Sequence, residues 1–206
     1  MPAKNLFTKD RLVEAAFKIV RTRGWETLSA RSLAEELNCS TMPIYSYLRS
    51  MKSLQTELKK KAIHLLLTYQ TTKRTGQIFF DIGIGYVLFA RHEKNLFRFL
   101  FEKRIKIGKH HNTGKMIKEF AFKDLTQKMK SDPVFEGLSE GKLKNILTKM
   151  WIFVHGLAFL INNNAFGRDK EDYIRELLKE TGQSIIQGEK NKEEIGKDLI
   201  PKEGSY

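Results

Sequence analysis

An all-α fold is predicted by three features of the sequence. Apolar residues recur three and four positions apart along most of the 206-residue chain, the period of a helix that buries one face. No stretch keeps the strict alternation of a half-buried strand, and no Asn-Gly or Asp-Gly pair offers a tight hairpin turn. Ser, Thr, Gly, Asn and Pro stand where such helices would begin and end. With 41% hydrophobic and 30% charged residues and four prolines, the composition fits a globular chain and excludes a fibrous or fully disordered polymer.

The first helix begins after Thr8, whose hydroxyl caps free amides, with Asp10 at the positive end of the helix dipole. Leu12, Ala15, Ala16, Ile19 and Val20 share its inner face, and Gly24 ends it. Ser29 caps a short second helix with Leu33, Ala34 and Leu37 inward. Asn38 stops that helix, because Asn tolerates the left-handed conformation of a helix end. Ser40 caps a third helix from Thr41 to about Leu48, with Pro43 in a first turn where a missing amide costs little. Ser50 caps a fourth, from about residue 51 to 70, with Leu54, Leu58, Ala62, Leu65, Leu66 and Tyr69 in one stripe.

Thr71 to Gly76 is a polar break. Beyond it helices are predicted over Ile78 to Ala90, Asn95 to about Lys106 and Thr113 to Lys130, the last stopped by Asp132-Pro133. Ser139 caps a long helix that is apolar almost all round from Leu143 to Ile161, which predicts burial on every side. Asp169 starts a final helix with Tyr173, Ile174, Leu177, Leu178, Thr181 and Ile185 inward and Gly188 at its end. Residues 189–206 alternate Glu, Lys and Gly with little to bury and are read as a frayed tail.

The net charge is +13 and the sequence pI about 9.7, a balance that points to a polyanion such as nucleic acid. The excess is polarised, at +6 over residues 1–61, +9 over 62–130 and −2 over 131–206. The single cysteine, Cys39, can close no internal disulfide and has no metal-ligand neighbours, so it is read as packing. No run of uncharged apolar residues reaches the roughly 18 needed to cross a bilayer, and the first ten residues lack the apolar region of a signal peptide. A cytoplasmic location and no membrane partner are expected. An enzyme is not expected, since no Gly-x-Ser-x-Gly, glycine-rich phosphate loop, His-Glu-x-x-His or Cys-x-x-Cys occurs. Neither metal nor other cofactor is expected. His110 and His111 are adjacent and would diverge by about 100° on a helix, and His155, amid apolar residues, reads as a hydrogen-bonded core histidine.

Two short helices joined by Asn38-Cys39-Ser40 and braced by a third are a helix-turn-helix arrangement, whose second helix can enter the major groove of DNA. From Thr8 to Leu58, the spacings of Gly24, Leu33-Ala34, Ser40, Tyr45, Leu48 and Leu54 carry a likeness: the sequence resembles the tetracycline-repressor (TetR) family of transcriptional regulators. Phe97-Arg98-Phe99-Leu100 and Val154-His155-Gly156-Leu157 look like segments of that family's ligand-binding body. Asn38 stands where the family carries glycine, Leu48 where it carries phenylalanine, and Met51 where it carries the lysine that opens helix four, with Lys52 as substitute. The resemblance implies a homodimer on a palindromic DNA operator, and a small molecule that lowers its affinity for DNA.

Backbone contacts to DNA need cations, hydroxyls and helix N-termini, whereas base edges are read by a few side chains. Ser29, Arg31, Tyr45, Tyr47 and Lys52 suit the first role, Thr41 and Met42 suit the second, and Ser40 completes the DNA-binding set. Residues 1–52 are assigned to the DNA-binding domain, 53–188 to a ligand-binding and dimerisation domain, and 189–206 to the tail. Dimerisation is placed on the long apolar helix and the last helix, at Trp151, Val154, Leu157, Ala158, Ile161, Tyr173, Leu177 and Leu178. Phe79, Ile82, Tyr86, Phe89, Phe120, Trp151 and His155 serve either as core or as the lining of a pocket for an apolar or aromatic effector, with Gly83 and Gly85 as wall positions. The competing readings are an activator or ligand-independent regulator of the same family, and a basic helical adaptor for an acidic partner.

Overall fold

The computed structural model describes residues 8–47, 51–101, 123–130, 132–167 and 170–192, and every regular element among them is helical. In chain order these are α1 (Lys9–Arg23), α2 (Ala30–Leu37), α3 (Thr41–Tyr47), α4 (Met51–Thr71), α5 (Ile78–His92), α6 (Lys94–Phe101), α7 (Lys123–Lys130), α8 (Glu140–Asn162) and α9 (Glu171–Lys190). Short 3-10 turns lie at Trp25–Thr27 and Pro133–Phe135. Leu48, Phe120, His110, His111, Asp169 and the tail beyond residue 192 lie outside the described residues.

The described chain falls into two compact units, within Met1–Thr68 plus Leu88–Thr113 and within Tyr69–Val87 plus Gly114–Tyr206. The first unit is larger than the 1–52 read from the sequence and is discontinuous, because α6 packs back on α1. α1 opens as predicted, with the Thr8 hydroxyl accepting from the Arg11 amide at 3.2 Å, and Gly24 closes it at φ 92°. Leu12, Ala16, Ile19 and Val20 of α1 are buried, as are Leu33 of α2, Ile44 of α3, Leu54 and Leu58 of α4, and Leu96 and Phe97 of α6. α2 is closed at its start by a reciprocal capping box in which Ser29 and Ser32 exchange backbone-to-hydroxyl bonds of 3.1 and 2.9 Å. Asn38 ends it in the left-handed conformation, φ 51° and ψ 51°, while the Cys39 amide returns to the Ala34 carbonyl. Cys39 itself is half-buried.

In the second unit the polar break is an ordered corner. The Arg74 guanidinium donates to the Tyr69 and Thr72 carbonyls at the end of α4. The buried Asp81 carboxylate of α5 accepts from the Arg74 amide, the Thr75 amide and the Thr75 hydroxyl at 3.1, 2.7 and 2.7 Å. α5 then crosses the end of α4 so closely that a Cβ on Gly85 would fall against the Tyr69 carbonyl and 2.7 Å from the Gln70 Cα. Phe79 packs edge-on against Phe80 and Phe135, and both Phe79 and Phe80 close over Gly182 of α9.

α8 packs along α9, and α7 packs on α8. α8 is not buried on every side. Its most apolar window has a mean hydropathy of 1.2 and is only 44% buried, because α9 and α7 cover one face and leave Trp151, Ile152, Phe159 and Leu160 outside. α9 also departs from expectation by running past Gly188 to Lys190. Glu189, assigned to a tail with little to bury, is 1% exposed and pairs with Lys149, with Lys192 at 2.8 Å and with Asn145 at 3.4 Å. Burial alone would raise its carboxyl, but the hydrogen bonds from Lys149 and Lys192 outweigh that and hold it at about 2. A long-range ion pair, invisible to local periodicity, thus fastens the last turn of the helix.

Candidate nucleic-acid interface

Among the described residues, one side of α3 is left exposed. Ile44, at the middle of this seven-residue helix, is fully buried, while Met42, one residue from its start, and Tyr45, two from its end, are 77% and 68% exposed. Thr41 and Met42 lie four and three positions before Tyr45, so the three side chains neighbour one another on one face. Ser40 and Ser46 are exposed beside them, and the Ser46 hydroxyl is turned back to the Met42 carbonyl at 3.2 Å. Tyr47 closes α3; its side chain lies outside the described residues.

The cations expected at this end of the molecule differ in availability. Arg31 lies in the first turn of α2, 88% exposed and paired with Glu35 one turn on at 3.2 Å. An exposed pair of this kind is worth about 0–1 kcal/mol, so a phosphate can displace Glu35 at little cost. Lys52, in the first turn of α4, is exposed. Lys18 and Arg23 are held by Glu36 at 2.6 and 3.1 Å, and the Lys18 hydrogen bond keeps the Glu36 carboxyl below its ordinary range. The Ser29 hydroxyl is occupied in capping α2, so a phosphate would compete with Ser32 for it. Exposed Thr41, Met42 and Tyr45 are thus brought onto one helix face, with Arg31 and Lys52 at the starts of the neighbouring helices of the same unit.

The residues assigned to an effector pocket are not brought together in the same way. Phe79, Ile82 and Tyr86 are buried in the second unit, whereas the buried Phe89 belongs to the first. Tyr86 and His155 share a hydrogen bond of 2.8 Å through Nδ1, and Trp151 stacks on the same imidazole at 5.4 Å. Gly83 sits against Met150 and Val154 at ordinary contact distance, and Gly85 against the α4 backbone, so neither is the wall of a space. A groove of about 630 Å³ does exist in the second unit, lined by Gln77, Phe80, Val134, Gln183, Ile186 and Gln187. Apart from the adjoining Phe80, its lining shares nothing with the aromatic set, and no periodicity in the sequence announces it because three elements contribute to it.

The dimerisation set divides by burial. Val154, Leu157, Ala158, Ile161 and Leu178 lie inside the chain's own core, and Leu177 is half-buried. Trp151 and Tyr173 are exposed, and they are joined by Ile152, Phe159 and Leu160, which the sequence reading passed over. Among the described residues no three His, Cys, Asp or Glu side chains come together to hold a metal ion.

The pair of buried Tyr86 and half-buried His155 has a pH signature. Burial raises the Tyr86 phenol far above its ordinary value and lowers the His155 imidazole below its own. The folded state therefore disfavours the imidazolium relative to the unfolded chain, and the stability this represents is present above the ordinary histidine value and lost as pH falls through the lowered one. Melting temperature is expected to hold steady above about pH 7 and to fall below about 6.5, with a shallower fall in His155→Gln over the same interval. Equal slopes in both proteins would assign the effect to other groups.

Compared with known proteins, the sequence matches no family model, and no curated protein matches it.

Proposed function

We propose that the chain is a homodimeric DNA-binding transcriptional regulator of the TetR type, responsive to a small-molecule effector and binding a palindromic operator through α3. The observation that carries this reading is the outer face of α3. A short helix anchored by Ile44 that exposes Met42 and Tyr45 to water, with Thr41 beside them, has a use for that face when thymine methyls, base edges and sugars cover it. The three-residue turn from α2, closed by the left-handed Asn38, and the net charge of +13 support it. One such helix reads too few bases for a unique site, which makes two-fold symmetry the natural complement. The exposed Trp151, Ile152, Phe159, Leu160 and Tyr173 supply an apolar face for the second copy. For an effector, the groove beside Phe80 has the volume of a small-molecule site, and its carboxamides with Val134 and Ile186 suit a neutral molecule with one apolar side.

Selection from random duplexes followed by titration at increasing salt tests the function. Recovery of a palindrome is expected, bound by dimers, with affinity falling about a thousandfold or more between 50 and 200 mM salt if six or more phosphates are contacted. Affinity independent of salt, or binding by monomers alone, would overturn the reading.

The roles within the interface separate by substitution. Lys52→Ala is expected to weaken selected and random DNA alike, whereas Thr41→Ala loses about 1–3 kcal/mol of discrimination at one base position with little change on random DNA. Equal shifts on both kinds of DNA for the two variants would reject the assignment.

A further inference from the structure

α1 is held by a part of the chain that is remote from the reading helices in sequence. Arg21, in the last turn of α1, donates its Nε to Glu93 Oε2 at 2.7 Å and its Nη2 to Oε1 at 2.5 Å, fork to fork. Glu93 is the single residue between α5 and α6 and is 5% exposed. Its own amide bonds the Phe89 carbonyl at 2.8 Å and its carbonyl accepts from the Phe97 amide at 2.9 Å, so both helices hold the junction. Two further contacts lie alongside. The Asn95 carboxamide donates to the Arg21 carbonyl at 3.0 Å, and the Trp25 ring stacks on Phe99 at 5.1 Å.

Apolar packing alone would stabilise this junction at least as well as a buried carboxylate, whose desolvation offsets much of its attraction to a cation. What a bidentate guanidinium–carboxylate pair adds is direction, since two parallel hydrogen bonds define an angle that dispersion contacts do not. α1 in turn packs on α2, and α2 on α3. We infer that Glu93 is a positioning residue for DNA recognition: through its two-pronged grip on Arg21 it sets the orientation in which α1 carries α2 and α3. This rests on the reading of α3 as the DNA-binding helix.

The test uses the full chain and operators recovered by selection with the wild type. Glu93→Gln keeps the shape and removes the charge; Arg21→Lys keeps the charge and removes the fork. Both are expected to lower affinity for the selected operator tenfold or more. They should also lose preference for its half-site spacing over operators with half-sites moved by one or two base pairs, while keeping base preference within a half-site. A merely structural role would lower all DNA affinities together, in proportion to the loss of folded protein seen by circular dichroism, and that result overturns the inference. So does retention of affinity and spacing preference within twofold by both variants. Should Glu93→Gln fail to fold, Arg21→Lys decides alone, since Arg21 is half-exposed at 49% and its replacement leaves a cation in place. If the wild type selects no operator, the DNA-binding reading falls first and this inference with it.

Discussion

If the chain is the dimeric DNA-binding protein proposed above, Ile152→Asp combined with Phe159→Asp is expected to give a folded monomer and to abolish operator binding at concentrations where the wild type saturates. Ile152 and Phe159 are 60% and 46% exposed on α8, one on each side of Gly156. Nothing lies within 4 Å of where a Gly156 Cβ would stand, so the stripe has a notch at its centre for another helix to approach. Central apolar anchors of an interface are each worth about 2 kcal/mol or more, and a carboxylate there adds the cost of an unpaired buried charge. Two such losses raise the dimer dissociation constant roughly a thousandfold. The subunit's own core is untouched, so its melting transition remains. Leu157→Asp is the contrasting variant: that side chain is buried within the subunit, and its replacement is expected to unfold the protein. Sedimentation with circular dichroism separates the outcomes, and a double variant that stays dimeric would remove α8 from the interface.

Gly85→Ala is expected to be among the most destabilising single-methyl changes in the chain. The added Cβ would meet the Tyr69 carbonyl and the Gln70 Cα, which are backbone atoms of α4 and cannot rotate aside. Relief requires α4 and α5 to separate at a corner already fastened by Arg74 and Asp81. The cost falls at the upper end of overpacking, about 3 kcal/mol, or a fall of about 6–12 °C in melting temperature for a chain of this size. Gly83→Ala, two residues earlier on the same helix, meets side-chain atoms no closer than 3.5 Å. It should be neutral or slightly stabilising, because alanine is favoured over glycine in a helix by about 1 kcal/mol. Similar melting temperatures for the two variants would contradict the close crossing.

The contrast between these two glycines shows where local sequence stops being informative. Both sit in one predicted helix two residues apart and flank Ile84, and it is the α4 backbone beside Gly85 that sets them apart. The same holds on α8, where Leu157 and Phe159 read alike as apolar residues of an apolar helix and only α9 makes one core and the other surface. Ends of helices are different, because their signals act within one turn. Thr8, Gly24, Ser29, Asn38 and Ser139 cap or stop the helices they were expected to cap or stop, each through bonds spanning five residues or fewer. Thr41 and Met42 at the start of α3 were legible as outward residues, whereas the buried Ile44 opposite them is known only from the fold. What tertiary structure alone decided involves partners far apart in the chain: the 72-residue reach of Arg21 to Glu93 where α6 meets α1, and the 40-residue reach of Lys149 to Glu189 in the last turn of α9. Sequence by itself determined the all-helical class and the caps that open α1, α2 and α8, because caps and amphipathic period act within a few residues. Burial, unit boundaries and groove required the folded chain, because desolvation and packing are set by atoms that meet only after it closes.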